Sequence, residues 1–296
     1  MTAFTVSAPG SSANLGSGFD AVAVAFELRM TANVRVLARD ASSRWSYRGQ
    51  QAPTHDGVRD AIERAVARIA PDAPPLAVEL DNAIPLGAGL GSSAAAYALG
   101  VATGARLVDA PPGDDALALA VAQLDGHPDN ALAAWYGGTV VASLDGDRLT
   151  SARFAPLAVD AVVVTPDVEL ATDDARAMLP EQYSRADAVF NLQRAALLGA
   201  ALASGRNDLL REAMRDRLHQ PYRAAAVPGL ADILALDDPS LIAVALSGAG
   251  PSVLALTEGD GGRIGQRIAG MFARYGVQCT VRQPSLTAHG VNVMLA

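Results

Sequence analysis

The chain has 296 residues, half of them hydrophobic, a length from which we expect two closely joined lobes. Its formal net charge of −8 at pH 7 makes a nucleic-acid partner unexpected, and no apolar run suggests a membrane partner. No secretory signal is recognisable, so we expect a cytoplasmic protein. All 23 basic residues counted as Lys or Arg are Arg, which excludes the lysine-dependent chemistry of a Walker-type P-loop, a protein-kinase fold or a pyridoxal Schiff base. The single cysteine, Cys279, excludes an intramolecular disulfide and a cysteine-based metal cluster.

Apolar spacing divides the first half of the chain into strands and helices. A small-residue stretch, 9–18, separates the first two β-type runs, and a glycine loop at 85–91 joins a strand to a long Ala-rich helix. In chain order we predict strands at 4–8 and 30–38, a helix at 60–69, a strand at 76–80, helices at 92–107 and 114–124, and a strand at 139–143. The turn at 145–147 then marks a boundary between lobes of residues 1–150 and 151–296.

The second half begins with an apolar strand and becomes mainly helical. Thr172, which is followed by two acidic residues, favours a helix start. In chain order we predict a strand at 161–165, helices from Thr172 to residue 218, strands at 241–245 and 252–256, a helix at 263–275, and terminal strands at 279–282 and 291–295. The pattern therefore predicts mixed α and β structure in both lobes.

The strongest chemical signal is the segment PLGAGLGSSAAA, residues 85–96, whose first part we call the phosphate loop (residues 85–91). Its glycines lack the Cβ atoms that would keep a phosphate away from the backbone, and Ser92 and Ser93 fall where a helix begins. Free N–H groups and the positive end of the helix dipole then form an anion site without a cation. The alternative interpretation is a flexible loop that ends in an ordinary serine cap.

Three segments rich in small residues match the pattern of one known superfamily. APGSSANLGSGFD at 8–20, PLGAGLGSSAA at 85–95 and ALSGAGPSVLAL at 245–256 resemble, in the same order, the three motifs of the GHMP kinases, which include galactokinase, homoserine kinase, mevalonate kinase and phosphomevalonate kinase. Four segments resemble the homoserine kinases in particular: SANLGSGFD at 12–20, GHPDNALAAWYGG at 126–138, ELATDDARAMLPEQY at 169–183 and HQPYR at 219–223. The resemblance spans nearly the whole chain.

This resemblance implies an α+β fold and a reaction. The expected fold has a ribosomal-protein-like N-terminal lobe, which contains a left-handed crossover, and a ferredoxin-like C-terminal lobe. The expected reaction transfers the γ-phosphoryl group of ATP to the side-chain hydroxyl of L-homoserine, in threonine biosynthesis, with Mg²⁺ as the metal. Phosphoryl transfer depends mainly on positioning and charge neutralisation. Because dimers are common in the family, the resemblance also implies a possible homodimer.

The same resemblance assigns roles to individual residues. Arg185 and Arg223 match positions that bind the amino acid's carboxylate, and the chemistry agrees, since an amino-acid acceptor needs a cationic fork for its carboxylate and acids for its ammonium. The ATP site is assigned to Pro85, Gly87, Gly89, Leu90, Gly91, Ser92, Ser93, Ala94, Gly248 and Gly250. The acceptor pocket is assigned to Asn14, Asp20, His127 and Asp129, the catalytic positions to Asn130 and Asp129, and the Mg²⁺ ligands to Ser92, Ser93 and Asp125.

Several points stay open at this stage. Asp125 stands where homoserine kinases usually carry Glu, and the stretch 55–59, which is expected to meet the adenine, matches the family poorly. Asp129 is either a general base, as in mevalonate kinase-like relatives, or a partner of the substrate ammonium. In the second role the ammonium would lower the pKa of the carboxylate and make it a weak base, which favours direct loss of the acceptor's hydroxyl proton during transfer. Without the motifs around them, Arg185 and Arg223 are more typical of solvated helix charges than of a binding site.

Two alternative functions also remain. One is a kinase of the same fold that acts on a mevalonate-like or sugar acceptor. The other is a non-catalytic relative that keeps the fold as a ligand-binding protein, and the complete phosphate loop argues against it.

Overall fold

The protein forms two α+β lobes, seen in a computed structural model that describes residues 3–48 and 57–295. Within these residues the strands are β1 (Ala3–Ala13), β2 (Val22–Val36), β3 (Arg44–Arg48), β4 (Leu76–Asn82), β5 (Thr139–Asp145), β6 (Arg148–Phe154), β7 (Asp160–Pro166), β8 (Leu241–Leu246), β9 (Val253–Thr257), β10 (Cys279–Arg282) and β11 (Asn292–Leu295). The helices are α1 (Gly57–Ile69), α2 (Ser92–Leu107), α3 (Asp114–Asp125), α4 (Pro128–Tyr136), α5 (Thr172–Ala177), α6 (Arg185–Ser204), α7 (Leu210–Ala213), α8 (Gln220–Arg223), α9 (Leu230–Leu234) and α10 (Gly261–Arg274), with one 3₁₀ turn at Asn207–Leu209.

The first lobe is built on a seven-stranded sheet. Its strand order is β11-β1-β2-β4-β3, and β2 also pairs with β5, which pairs with β6. Among the described strands every pair in this sheet is antiparallel except β3 with β4, which run parallel and are connected through α1. A mainly antiparallel sheet with one parallel crossover agrees with the expected fold.

Helix α2 lies at the centre of this lobe. It is buried nearly all round, as its Ala-rich sequence predicts, and packs against β1, α1, α3 and α4. Gly100 allows α1 to approach closely, because a Cβ atom there would lie 2.5 Å from the Ile62 carbonyl oxygen. Helix α2 is thus held by packing on several sides, and the phosphate loop leads directly into its first turn.

Strand β1 continues through the small-residue stretch that the sequence predicted as a break. After a bulge between Pro9 and Gly10, it pairs with β2 as far as Ala13. The small residues are needed because the phosphate loop crosses this end of the strand: a Cβ atom on Gly10 would lie 2.9 Å from the Leu90 carbonyl oxygen. The prediction of a strand ending at residue 8 was therefore too short.

The second lobe is built on a four-stranded antiparallel sheet of order β10-β7-β9-β8. Numbered within the lobe, the order is fourth, first, third, second, which is the ferredoxin-like arrangement and confirms that prediction. Helix α10 covers one face with Ile264, Ile268 and Phe272, which are spaced four residues apart and fully buried. No helix among the described residues is long and apolar enough to cross a membrane.

The boundary between the lobes is set by strand pairing. Residue 150, where the sequence placed it, lies inside β6, which pairs with β5 in the first sheet. The last strand, β11, also returns to the first sheet, where it pairs with β1. We therefore propose that the first lobe extends to Phe154 and regains residues 292–295.

Candidate active site

The three glycine-rich motifs meet where the two lobes face each other. The Ser247 hydroxyl of the second lobe donates to the Gly89 carbonyl oxygen in the phosphate loop (2.7 Å) and lies 2.8 Å from Ser12 Oγ in β1. The Ser11 N–H donates to the Leu90 carbonyl oxygen at 3.0 Å. Segments that are more than 70 residues apart in the sequence are thus held together by direct hydrogen bonds.

The phosphate loop takes a left-handed backbone at each of its three glycines, with φ of +63° at Gly87, +71° at Gly89 and +68° at Gly91. A Cβ atom on Gly89 would overlap the Ser247 carbonyl oxygen, and one on Gly91 would overlap Ser11 Oγ. Of the three, only Gly87 has an open Cβ position, with no atom of the described residues within 4 Å apart from its two chain neighbours. Gly89 and Gly91 are therefore required by the protein's own packing, so the sequence argument that they make room for a phosphate was incomplete.

The first turn of α2 follows this loop directly. Its N-cap, Gly91, provides no side-chain hydrogen bond, and no side chain among the described residues is seen to cap the first N–H groups of the helix. Ser92 and Ser93 are both accessible at this helix end. Uncapped N–H groups at a helix N-terminus favour an anion.

These elements surround a central cavity of about 470 Å³. Residues from both lobes line it, and most of the positions that the sequence assigned to the site are among them. The lining residues that were assigned are Asn14, Asp20, Gly87, Gly89, Leu90, Gly91, Ser92, Ser93, Ala94, Asp125, His127, Asn130, Arg223, Gly248 and Gly250. Three assigned residues do not line it: Pro85, Asp129 and Arg185.

Asn14 and Asp20 form one wall of the cavity. The Asn14 amide donates to the Gly248 carbonyl oxygen (2.8 Å), and its side-chain oxygen accepts from the Asp20 N–H (2.9 Å). Both residues have positive φ, +74° and +54°, which is uncommon outside glycine and marks a tightly determined turn. Asn14 thus fixes the turn that presents the Asp20 carboxylate.

The arginines of the cavity differ from the pair that the sequence selected. Arg223 is buried, lines the cavity and donates from Nε to the Ala175 carbonyl oxygen at 3.2 Å. Arg185, by contrast, is exposed at the start of α6 and does not line the cavity. Arg176 takes the second position there, and its Nη2 donates to both carboxylate oxygens of Asp20. The segment 169–183 contained this residue, but nothing in its local pattern distinguished it from Arg185.

Asp125, the last residue of α3, and His127, the N-cap of α4, also line the cavity. The Asp125 side chain is only 4% exposed, and its Oδ2 lies 3.4 Å from His127 Nδ1. The hydrogen bond to Asp125 raises the pKa of His127. Ser92, Ser93 and Asp125 therefore bring hydroxyl and carboxylate oxygens to one cavity, and such donors fit a Mg²⁺ ion that takes its remaining ligands from phosphates and water. Among the described residues no group of three or more His, Cys, Asp or Glu side chains is placed to hold a metal.

The first turn of α4 carries Asp129 and Asn130. Asp129 is fully buried; its Oδ1 accepts from the Asn130 N–H (2.8 Å), whereas its Oδ2 has no hydrogen-bond partner among the described residues. Burial raises the pKa of Asp129 to about 7. Asn130 lines the cavity, and its Oδ1 accepts from the Ser11 hydroxyl at 2.8 Å, which fixes the orientation of the amide.

A second cavity of about 860 Å³ adjoins the first. The two share residues of the phosphate loop and α2, and the second has apolar walls from Leu86, Val168 and Leu170. Pro85 lines this cavity. Of the stretch 55–59, which the sequence associated with the adenine, Gly57 and Val58 line it, whereas residues 55 and 56 lie outside the described residues.

Comparison with known proteins identifies the family. The chain matches the family described as GHMP kinases N terminal domain over residues 58–138, and GHMP kinases C terminal over residues 198–274. It is 45% identical to the homoserine kinase of Deinococcus radiodurans over 257 residues, which cover 85% of this chain and 83% of that one. The chain belongs to the homoserine kinase family of the GHMP kinases. Like its relatives in this family, it is a small-molecule kinase.

Further comparisons agree with this family and with the fold. The homoserine kinase of Moorella thermoacetica is 35% identical over 98% of this chain and 99% of its own. The crystal structure of homoserine kinase from Cytophaga hutchinsonii superposes with a TM-score of 0.85 at 26% identity, covering 99% of this chain and 98% of that one. The galactokinase of Lactococcus lactis shares the fold alone, with a TM-score of 0.70 at 12% identity. The predicted homoserine kinase resemblance and two-lobe GHMP kinase fold are both confirmed.

Proposed function

We propose that this protein transfers the γ-phosphoryl group of ATP to the side-chain hydroxyl of L-homoserine, giving O-phospho-L-homoserine for threonine biosynthesis. The observation that carries the proposal is the composition of the central cavity. It is lined both by the uncapped N-terminus of α2 and by an acid with two arginines, Asp20, Arg176 and Arg223. The first suits a phosphate and the second suits an amino-acid zwitterion.

ATP would bind across both cavities. The triphosphate would lie on the phosphate loop and the start of α2, held by backbone N–H groups because the chain has no lysine. The adenosine would enter the second cavity, whose walls are more apolar. Ser92, Ser93 and Asp125 would hold Mg²⁺ together with the phosphates, and the ion would supply charge neutralisation to the transferred group when bound.

The acceptor would bind at the opposite end of the central cavity. Arg176 and Arg223 would bind its carboxylate, which replaces the sequence-based pairing of Arg223 with the exposed Arg185. Asp20 would bind its ammonium directly. Asp129 would stabilise the same charge electrostatically, since its carboxylate is buried just behind the lining residues.

Asn130 would contact the hydroxyl that receives the phosphoryl group. Its amide is oriented by Ser11 and lines the cavity between the phosphate loop and His127. Asp129 does not line the cavity, which supports direct proton loss from the hydroxyl during transfer rather than abstraction by this carboxylate. An ammonium nearby would lower the pKa of Asp129 and so make it a weaker base.

The test is a panel of alcohols incubated with the purified protein and ATP·Mg²⁺, with ADP release as the readout. L-Homoserine should give turnover well above L-serine, mevalonate and galactose. Preferred turnover of mevalonate or galactose would move the chain to another acceptor, and nucleotide binding without ADP release would favour a non-catalytic relative. The cytoplasmic location stays a prediction. The homodimer is also a prediction, and sedimentation analysis of the purified protein would test it.

A further inference from the structure

His219 is a fully buried imidazole that no step above uses. It precedes α8, and its ring stacks on Phe19 with centroids 5.0 Å apart and planes 19° apart. Nε2 lies 2.8 Å from the Gly16 carbonyl oxygen, and Nδ1 lies 3.1 Å from Arg223 Nη1. A carbonyl oxygen can only accept and a guanidinium can only donate, so the proton must be on Nε2 and Nδ1 must be the acceptor.

The surroundings of the ring keep it neutral. Burial lowers the pKa of His219, against the opposing influence of the Asp216 carboxylate, whose Oδ2 lies 3.5 Å from Nε2. The Asp216 carboxylate already accepts hydrogen bonds from the backbone N–H groups of residues 218, 219 and 220. The positive charge of Arg223 also disfavours a second proton on the ring, while the more distant Asp20 favours it.

Arg223 is held by three acceptors that leave one nitrogen available. Nε donates to the Ala175 carbonyl oxygen, and Nη1 donates both to the Gly248 carbonyl oxygen (3.2 Å) and to the imidazole. Nη2 has no hydrogen-bond partner among the described residues, although Arg223 lines the cavity. Because the other two acceptors are backbone atoms, His219 is the one side chain among the described residues that accepts a hydrogen bond from the guanidinium, whose Cζ also lies 5.4 Å from the centroid of the Phe19 ring.

We propose that His219 is a positioning residue that aims Arg223 Nη2 at the acceptor's carboxylate and thereby sets the affinity for L-homoserine; this inference rests on the proposed function. The imidazole also joins the Asn14–Asp20 turn to Arg223, because its Nε2 bonds to Gly16 and its ring stacks on Phe19. The ammonium-binding and carboxylate-binding parts of the pocket are thus connected through one ring.

Two substitutions separate the acceptor role of His219 from its packing role. His219→Asn keeps an oxygen near the position of Nδ1, whereas His219→Gln keeps a donor near Nε2 and withdraws the acceptor. We expect His219→Gln to raise the KM for L-homoserine about tenfold, the lower range for loss of a hydrogen bond to a charged group, with kcat and ATP affinity near wild type. His219→Asn should stay within about threefold of wild type on the same scale.

A double-mutant cycle with Arg223→Ala tests whether the effect acts through Arg223. In that background His219→Gln should add no further loss. A tenfold loss that persists without Arg223, or a wild-type KM for His219→Gln in an enzyme that turns over L-homoserine, would overturn the inference. If the wild-type protein does not phosphorylate L-homoserine at all, the proposed function fails instead.

A measurement on the unaltered protein keeps the inference testable even if His219→Gln does not fold. The ¹⁵N chemical shifts of the imidazole, assigned by comparison with His219→Asn, should show a protonated Nε2 and an unprotonated Nδ1 at neutral pH. A proton on Nδ1 would overturn the inference, because that nitrogen could not then accept from Arg223.

Discussion

The guanidinium of Arg176 donates to both carboxylate oxygens of Asp20, at 3.0 and 3.1 Å, inside the cavity that we assign to the acceptor. Two groups proposed to bind opposite ends of an amino acid are therefore paired with each other in the structure. The pair is partly exposed, and exposed ion pairs stabilise a protein by only about 0.2–1 kcal/mol, so a zwitterion can exchange both partners at little cost.

Removing Arg176 should weaken acceptor binding selectively. We expect Arg176→Ala to raise the KM for L-homoserine about tenfold to a hundredfold, through loss of a charge-assisted hydrogen bond, while ATP affinity stays near wild type. Arg185→Ala is the matched control and should leave both values unchanged, since Arg185 lies outside the cavity. Steady-state kinetics with each substrate varied would measure this. The reverse result would restore the sequence-based choice of Arg185.

Asn130 should behave differently from the arginines. Asn130→Ala should lower kcat more than it raises the KM for L-homoserine, because a group next to the transferred oxygen matters most as transfer begins. Ser11→Ala should produce a weaker effect of the same kind, since the Ser11 hydroxyl only orients the amide. An increase in KM with an unchanged kcat in Asn130→Ala would contradict the role.

Gly87 allows a test of the phosphate site without disturbing packing. Gly87→Ala should weaken ATP binding about tenfold, because its Cβ would project into space that is free of described residues within 4 Å, apart from the two chain neighbours. Gly146→Ala controls for backbone strain, since Gly146 also has positive φ and an open Cβ position but lies in the β5–β6 turn. Gly89→Ala should instead lower the thermal stability, because its Cβ overlaps Ser247. Nucleotide titration together with thermal unfolding would distinguish the three, and equal ATP affinity in Gly87→Ala and Gly146→Ala would argue against the site.

Asp129 should make the stability of the ligand-free protein depend on pH. Its pKa is raised to about 7 in the folded state, above the usual value for an unfolded aspartate, so the folded state binds the proton more tightly. Its contribution to stability is therefore fully present below about pH 4 and is lost as the pH rises to about 7. Asp129→Asn should remove this loss, worth a few kcal/mol at most, and chemical denaturation at pH 5 and pH 8 would measure it. Identical pH dependence in the two proteins would refute the assignment.

Local signals in the sequence were sufficient for much of the fold. Helix α2 begins and ends at the predicted residues, because its Ala-rich run is bounded by a glycine loop before Ser92 and an extended residue, Val108, after it. Strand β6 was not predicted, since its residues are mostly exposed and carry no apolar alternation. The structure of β1 beyond Pro9 was also missed, because the small residues there are explained only by the phosphate loop that crosses them.

Prediction of the site from the sequence was limited in the same way, because part of it depends on contacts between distant segments. Motif resemblance was enough to choose Asn14, Asp20 and Asn130, which all line the cavity. The choice between Arg176 and Arg185 depends on which of them faces Asp20, a residue more than 150 positions earlier in the chain. Only the folded position of α5, which brings Arg176 to Asp20, decides it.

The pairing of β11 with β1 has a consequence for how the protein is made. Residues 292–295 follow every other strand of the first sheet in the sequence, so one edge of β1 stays unpaired until these residues have been synthesised and have left the ribosome. An open strand edge is prone to pairing with other chains, and β11, whose exposed side chains include Met294 and Leu295, covers that edge only after the rest of the sheet has been made. Removing residues 292–295 would therefore leave the edge of β1 open to the same edge-to-edge association in the nascent and the mature protein.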